Sequence, residues 1–151
     1  MSGETPAFVD TNILVYAFDS TDPTRQRSAA QLLSRLMDED RLRLSTQVLQ
    51  EFYVTMTRKA RPPWTPERGL AKLDDFAAWP VIISDLSLIR EAVLLSRDAV
   101  LSFWDALIVA AAARSGADTL YTEDLNDGQM IKGVRVVNPF SSQETAVSPG
   151  E

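Results

Sequence analysis

Short, wholly apolar runs alternate along this chain with longer stretches of helical period. Ala7-Phe8-Val9 is the first such run; it stops at Asp10-Thr11-Asn12, and Ile13-Leu14-Val15-Tyr16-Ala17-Phe18 follows. This pattern predicts a buried strand, a polar turn and a helix starting at or near Asn12. Residues 24–38 set Ala29, Leu32, Leu33 and Leu36 on one helical face. Residues 41–45 alternate like a short strand, and 46–60 read as a helix halted by Pro62-Pro63. Thr65-Pro66-Glu67 opens another helix, with proline in its first turn, running to about Trp79. A second apolar strand at 81–83 precedes a helix over 86–98. Residues 102–114 form a helix apolar on nearly every side, closed by Ser115-Gly116. A strand at 118–121, a polar turn at 122–128 and a last strand at 134–137 complete the pattern.

Strands that are apolar throughout and separated by helices belong to a parallel sheet covered on both faces. No repeat and no Gly-, Ser- or Pro-rich linker divides the chain. The expected fold class is therefore α/β, a three-layer α/β/α sandwich around a central parallel sheet of about five strands. It should form a single domain over residues 1–151, with an ordered core at about 6–140. The tail 141–151, with little to bury, is expected to be disordered.

Composition narrows the chemistry. A chain of 151 residues, 45% hydrophobic and 24% charged, suits one soluble globular core. No apolar run approaches the ~20 residues that span a bilayer, and the N-terminus lacks a signal-peptide pattern. Cysteine is absent, which fits a cytoplasmic location. Histidine is absent too, so the usual zinc site, the Ser-His-Asp triad and the Cys-His dyad cannot be built. Carboxylates with magnesium or manganese become the default. The net charge of −6 argues against a nucleic-acid partner, although bound divalent ions would reverse the local sign of an acidic site.

Ligands of open parallel sheets bind beyond the carboxyl ends of the strands. Asp10 closes the first strand, and Asp124 follows the strand that ends at Tyr121. Asp105 lies in the first turn of the most apolar helix, and Glu51 interrupts a helix carrying Val48, Leu49, Phe52 and Met56. Each acid also has a plain structural explanation. Asp10 and Asn12 can cap a helix, Ser102 and Asp105 have capping-box spacing, Glu51 can share a solvated stripe with Gln47 and Arg58, and Asp124 suits a turn. The basic and aromatic stretch Arg58, Lys59, Arg61 and Trp64 is a candidate RNA or partner contact, set against helix-dipole compensation and packing. Phe103 and Trp104 are expected in the core.

Four segments in order carry a family resemblance: Phe8-Val9-Asp10-Thr11-Asn12-Ile13-Leu14, Ser45-Thr46-Gln47-Val48-Leu49-Gln50-Glu51-Phe52, Trp104-Asp105-Ala106-Leu107-Ile108 and Tyr121-Thr122-Glu123-Asp124. Together they resemble the PIN domain, and within it the VapC toxins of type II toxin–antitoxin modules, over about residues 6–140. The resemblance implies a five-stranded parallel sheet, metal-dependent cleavage of RNA, homodimerisation and inhibition by a cognate antitoxin. It implies that Asp10, Glu51, Asp105 and Asp124 are the catalytic acids. Asp10 and Asp105 would be the principal Mg2+ (or Mn2+) ligands, with Glu51 and Asp124 binding directly or through water. Thr11, Asn12 and Thr122 would be supporting residues, while Glu123 and Asp127 compete with Asp124 for its assignment. A haloacid-dehalogenase-like phosphatase would want an acid where Asn12 stands, and a receiver domain would want one beside Asp10. A PIN-like protein that only binds RNA or a partner is the remaining alternative.

Overall fold

A computed structural model describes residues 5–141, so the expected tail lies outside the described residues apart from Ser141. In chain order the elements are β1 (Ala7–Val9), α1 (Thr11–Phe18), α2 (Pro23–Asp38), β2 (Leu42–Ser45), α3 (Thr46–Arg58) and α4 (Pro66–Phe76). They continue with β3 (Val81–Ile82), α5 (Leu86–Ala99), α6 (Phe103–Arg114), β4 (Thr119–Tyr121), β5 (Met130–Ile131) and β6 (Val134–Val137). The sheet order is β3-β2-β1-β4-β6-β5. All pairings are parallel except β5 with β6, so the sheet is mixed and six-stranded.

The added strand is an edge hairpin. Lys132 (φ 52°) and Gly133 (φ 78°) form its two-residue turn, and two successive positive φ values match the right-handed twist of antiparallel strands. Helices cover both faces of the sheet. On one side α1 packs on α2 and α3, and α3 on α4; on the other, α5 packs on α6, which crosses β2, β4 and β6. The helix starts follow from their caps. Asp22, Ser45, Thr65, Asp85 and Ser102 each accept from a backbone N–H three residues on, satisfying amides that the first helical turn leaves open.

β1 is buried along its whole length, and Leu42 and Leu44 of β2, Leu120 of β4 and Val136 of β6 are also fully removed from solvent. Trp64 also lies in the core. Its ring meets Phe18 and Phe52 edge-on, and both of these meet Phe76. Of the two readings of Trp64, packing accounts for most of the ring: it is 7% exposed, and what remains lines the pocket beside Arg61 and Arg68. The core expectation for Trp104 is corrected, since that residue is 62% exposed. It sits in the first turn of α6, and the continuous burial of that helix begins only at Ala106.

Candidate active site

From β1 the chain runs outward in one direction to β2 and β3, and from β4 it runs in the other to β6. The ends of β1 and β4 therefore meet at the switch point of the sheet, the place where open α/β folds form crevices. Val9 pairs with Tyr121, which sets the next residues, Asp10 and Thr122, side by side at the carboxyl edge. The Asp10 amide donates to the Tyr121 carbonyl at 3.0 Å.

Asp10 is the N-cap of α1, with one carboxylate oxygen accepting from the Thr11 amide at 2.7 Å. The other accepts from the buried Thr122 hydroxyl at 2.8 Å. Burial pushes this carboxyl up to about 6, and the nearby charges of Asp124 and Glu51 add to the effect. The hydrogen bonds from Thr122 and Thr11 oppose it. Capping and candidate chemistry coincide in this one residue.

Thr122 Oγ1 also accepts from the Asp124 amide at 3.1 Å and from Asn12 Nδ2 at 3.3 Å. One donated and two accepted bonds exhaust a hydroxyl. Asn12 Nδ2 donates further to Asp124 Oδ2 at 2.9 Å. On the other flank, Thr11 Oγ1 donates to Glu51 Oε1 at 2.7 Å, and Gln47 Nε2 donates to Glu51 Oε2 at 3.2 Å. Thr11, Asn12 and Thr122 thus draw Asp10, Glu51 and Asp124 into one hydrogen-bonded cluster. Beside it, Thr11, Asn12, Val15, Tyr16, Glu51, Thr55, Glu123 and Asp124 line an open pocket of about 460 Å³.

Asp105 stands apart. Its amide donates to the Ser102 cap hydroxyl at 3.0 Å, as the capping-box spacing suggests, but its carboxylate receives no hydrogen bond among the described residues. Its link to the cluster runs through the main chain, because Gln47 Nε2 also donates to the carbonyl of Trp104 at 3.3 Å. The competing acids of the last motif separate clearly. Glu123 accepts from the Tyr16 hydroxyl at 2.9 Å, and Asp127 Oδ1 accepts from the Asn138 amide at 2.8 Å. Asp124 is the acid that shares Thr122 with Asp10, and it also accepts from Asn12.

Gln47 is the residue that sequence reasoning misplaced. Assigned to a solvated stripe, it is 5% exposed and bridges α3 to the start of α6. Its Oε1, and Oδ1 of Asn12, are buried acceptors without a donor. Unmet buried acceptors next to three carboxylates fit a hydrated cation, whose waters donate. Among the described residues no group of three acids stands ready to hold a metal directly. Magnesium retains several waters and is commonly held by one or two carboxylates, so this donor set is compatible with it.

The α/β/α sandwich thus gathers Asp10, Glu51 and Asp124 beside the carboxyl ends of β1 and β4, the place where open α/β sheets bind ligands. The chain belongs to the PIN domain family, whose model matches residues 7–127. Comparison with curated protein sequences finds no match. Among solved structures, the chain is similar to a toxin–antitoxin complex from Klebsiella pneumoniae, with a TM-score of 0.66 and 24% identity over 88% of this chain and 97% of that one. It is also similar to FitAB bound to a DNA fragment, with a TM-score of 0.67 and 19% identity over 89% and 95%. A third is VapC20 of Mycobacterium tuberculosis, described as a sarcin-ricin loop cleaving toxin, with a TM-score of 0.58 and 21% identity over 78% and 89%.

Proposed function

We propose that this protein is a magnesium-dependent endoribonuclease acting as the toxin of a VapBC-type module, inhibited by a cognate antitoxin and assembling as a homodimer. The observation that carries the proposal is the clustering of Asp10, Glu51 and Asp124 around the unmet acceptors of Asn12 and Gln47. Asp10 and Asp105 would hold the ion, with Glu51 and Asp124 binding directly or through water; manganese has the same preference for oxygen ligands. A bound divalent ion polarises the scissile phosphate and lowers the pKa of an attacking water. Thr122 orients the Asp10 carboxylate, Thr11 orients that of Glu51, and Asn12 orients that of Asp124.

Basic residues at the far end of α3 support the nucleic-acid reading. The seam between α1 and α3 carries Thr11, Val15 and Phe18 on one helix, and Glu51 and Thr55 on the other. A separate, second pocket at the far end of α1 is lined by Phe18, Asp19, Ser20, Arg61, Trp64 and Arg68 among others. Arg58, Lys59 and Arg61 are exposed at that end and would take backbone phosphates.

Incubation of the purified protein with total RNA, with and without chelator, tests the proposal. Cleavage should require magnesium or manganese and fail in Asp10→Asn. Undiminished cutting in excess chelator would overturn the metal reading, and binding without cutting would favour a non-catalytic PIN-like protein. Expression of the wild type alone should arrest bacterial growth, and Asp10→Asn should not. Equal toxicity from both would detach the toxin role from this site.

A further inference from the structure

One face of α1 grips consecutive residues of the loop after β4. Asn12 and Tyr16 lie one turn apart on that face; Asn12 Nδ2 donates to Asp124 at 2.9 Å and the Tyr16 hydroxyl donates to Glu123 at 2.9 Å. The grip continues into α2, where Arg25 Nε lies 3.9 Å from the second oxygen of Glu123. Arg25 is itself held by Asp22 at 3.2 Å, and its guanidinium lies 5.2 Å from the centre of the Phe140 ring. Tyr16 meets Phe140 edge-on at 5.1 Å, so the phenol is fixed on its apolar side as well. Glu123 therefore has partners on two helices, although it stands between Thr122, which donates to Asp10, and Asp124.

We infer that Tyr16 and Arg25 are positioning residues, which hold Glu123 away from the carboxylate cluster and so fix the loop that presents Thr122 and Asp124. The inference rests on the reading of that cluster as a divalent-cation site. Two physical effects favour it. Glu123 lines the same pocket as Glu51 and Asp124, and an unheld carboxylate there would add charge and compete for the cation. Thr122 and Asp124 flank Glu123, so a loose Glu123 leaves the Asn12 and Thr122 hydrogen bonds as the loop's remaining ties to the site. A residue that acts only through loop geometry should shift cation affinity more than the maximal rate.

The test is a magnesium titration of the thermal shift of purified protein, run beside RNA cleavage at saturating magnesium. Tyr16→Phe keeps the ring against Phe140 and removes only the donor. It should raise the magnesium concentration for half-maximal shift roughly tenfold while leaving kcat within about twofold. Glu123→Ala removes the competing charge and keeps only the loss of the loop tie, so it should weaken magnesium binding by less than Tyr16→Phe does, and adding Tyr16→Phe to it should change nothing further. Glu123→Gln keeps an oxygen for Tyr16 and should stay close to wild type. A Tyr16→Phe titration superimposable on wild type would overturn the clamp and leave the site reading intact. Loss of the magnesium response in Glu123→Gln would instead make Glu123 a ligand, which also overturns it. A wild type that shows no magnesium response would remove the cation site itself, and the clamp with it.

Discussion

Thr122 and Asp10 are 112 residues apart in sequence, yet the threonine hydroxyl donates to the aspartate carboxylate at 2.8 Å with both side chains almost wholly out of solvent. The pairing follows from strand register, since each residue is the first beyond adjacent parallel strands. The bond favours the charged carboxylate, which burial disfavours. Thr122→Val should therefore destabilise the fold by about 1–3 kcal/mol near pH 7.5, where Asp10 is ionised. The loss should be smaller near pH 4.5, where the carboxyl is neutral. Denaturant melts at the two pH values measure the difference, and equal losses would mean that the hydroxyl serves only Asn12 and the Asp124 amide.

The Asp10 carboxyl itself sets a pH dependence of stability. Its folded value of about 6 lies above the ordinary 3.8, so the fold favours the neutral form. Its contribution is whole below about pH 4 and is lost as pH rises through 6. The gap between the two values corresponds to an upper bound of about 3 kcal/mol. Asp10→Asn, which cannot ionise, should gain stability relative to wild type across this window in the metal-free protein. Asp22, Asp85, Asp98 and Asp118 are held below the ordinary carboxylate range by hydrogen bonds and lose their contributions as pH falls, in both proteins alike. The difference between the two pH profiles therefore isolates Asp10, and parallel profiles would refute the assignment.

Close packing of α3 on α4 gives a prediction remote from the site. A Cβ at Gly69 would stand 2.7 Å from the Tyr53 ring. Gly→Ala inside a helix ordinarily gains up to about 1 kcal/mol, and overpacking costs about 1–3 kcal/mol. Gly69→Ala should therefore lower the melting temperature, and Gly69→Ala with Tyr53→Leu should recover part of the loss. A stabilised single variant would show that the two helices separate freely.

What could be read from the sequence divides by range. The longer strands and all six helices announce themselves through local periodicity and caps, and Asp10 and Asp124 through their places at strand ends. β5 and its turn into β6 do not, because Met130-Ile131 follows a polar turn with only one of its two residues buried, and Lys132-Gly133 lacks the usual Asn-Gly or Asp-Gly signature. Gln47 was illegible because its burial depends on the Trp104 carbonyl, 57 residues away. Trp104 departs from its expected place, and Trp64 could be assigned neither to packing nor to contact, for a similar reason. A helix apolar on nearly every side gives no phase from which to judge Trp104, and the cage around Trp64 is assembled from α1, α3 and α4.

Asp105 supplies the sharpest remaining test, because its two roles are carried by different atoms. Its amide donates to the Ser102 hydroxyl at 3.0 Å, while its carboxylate is free of hydrogen bonds among the described residues. Removing the cap with Ser102→Ala should cost about 1 kcal/mol of stability and leave the magnesium shift intact once that loss is subtracted. Asp105→Asn keeps the amide and the helix start, so the metal-free protein should melt within about 0.5 kcal/mol of wild type. If the carboxylate holds the ion, the same variant should lose most of the stabilisation that magnesium confers by binding the native state. Melting wild type, Ser102→Ala and Asp105→Asn in chelator and in magnesium separates the two roles. A full magnesium shift in Asp105→Asn would leave Asp105 as a helix-start residue and confine the cation to the Asp10, Glu51 and Asp124 cluster.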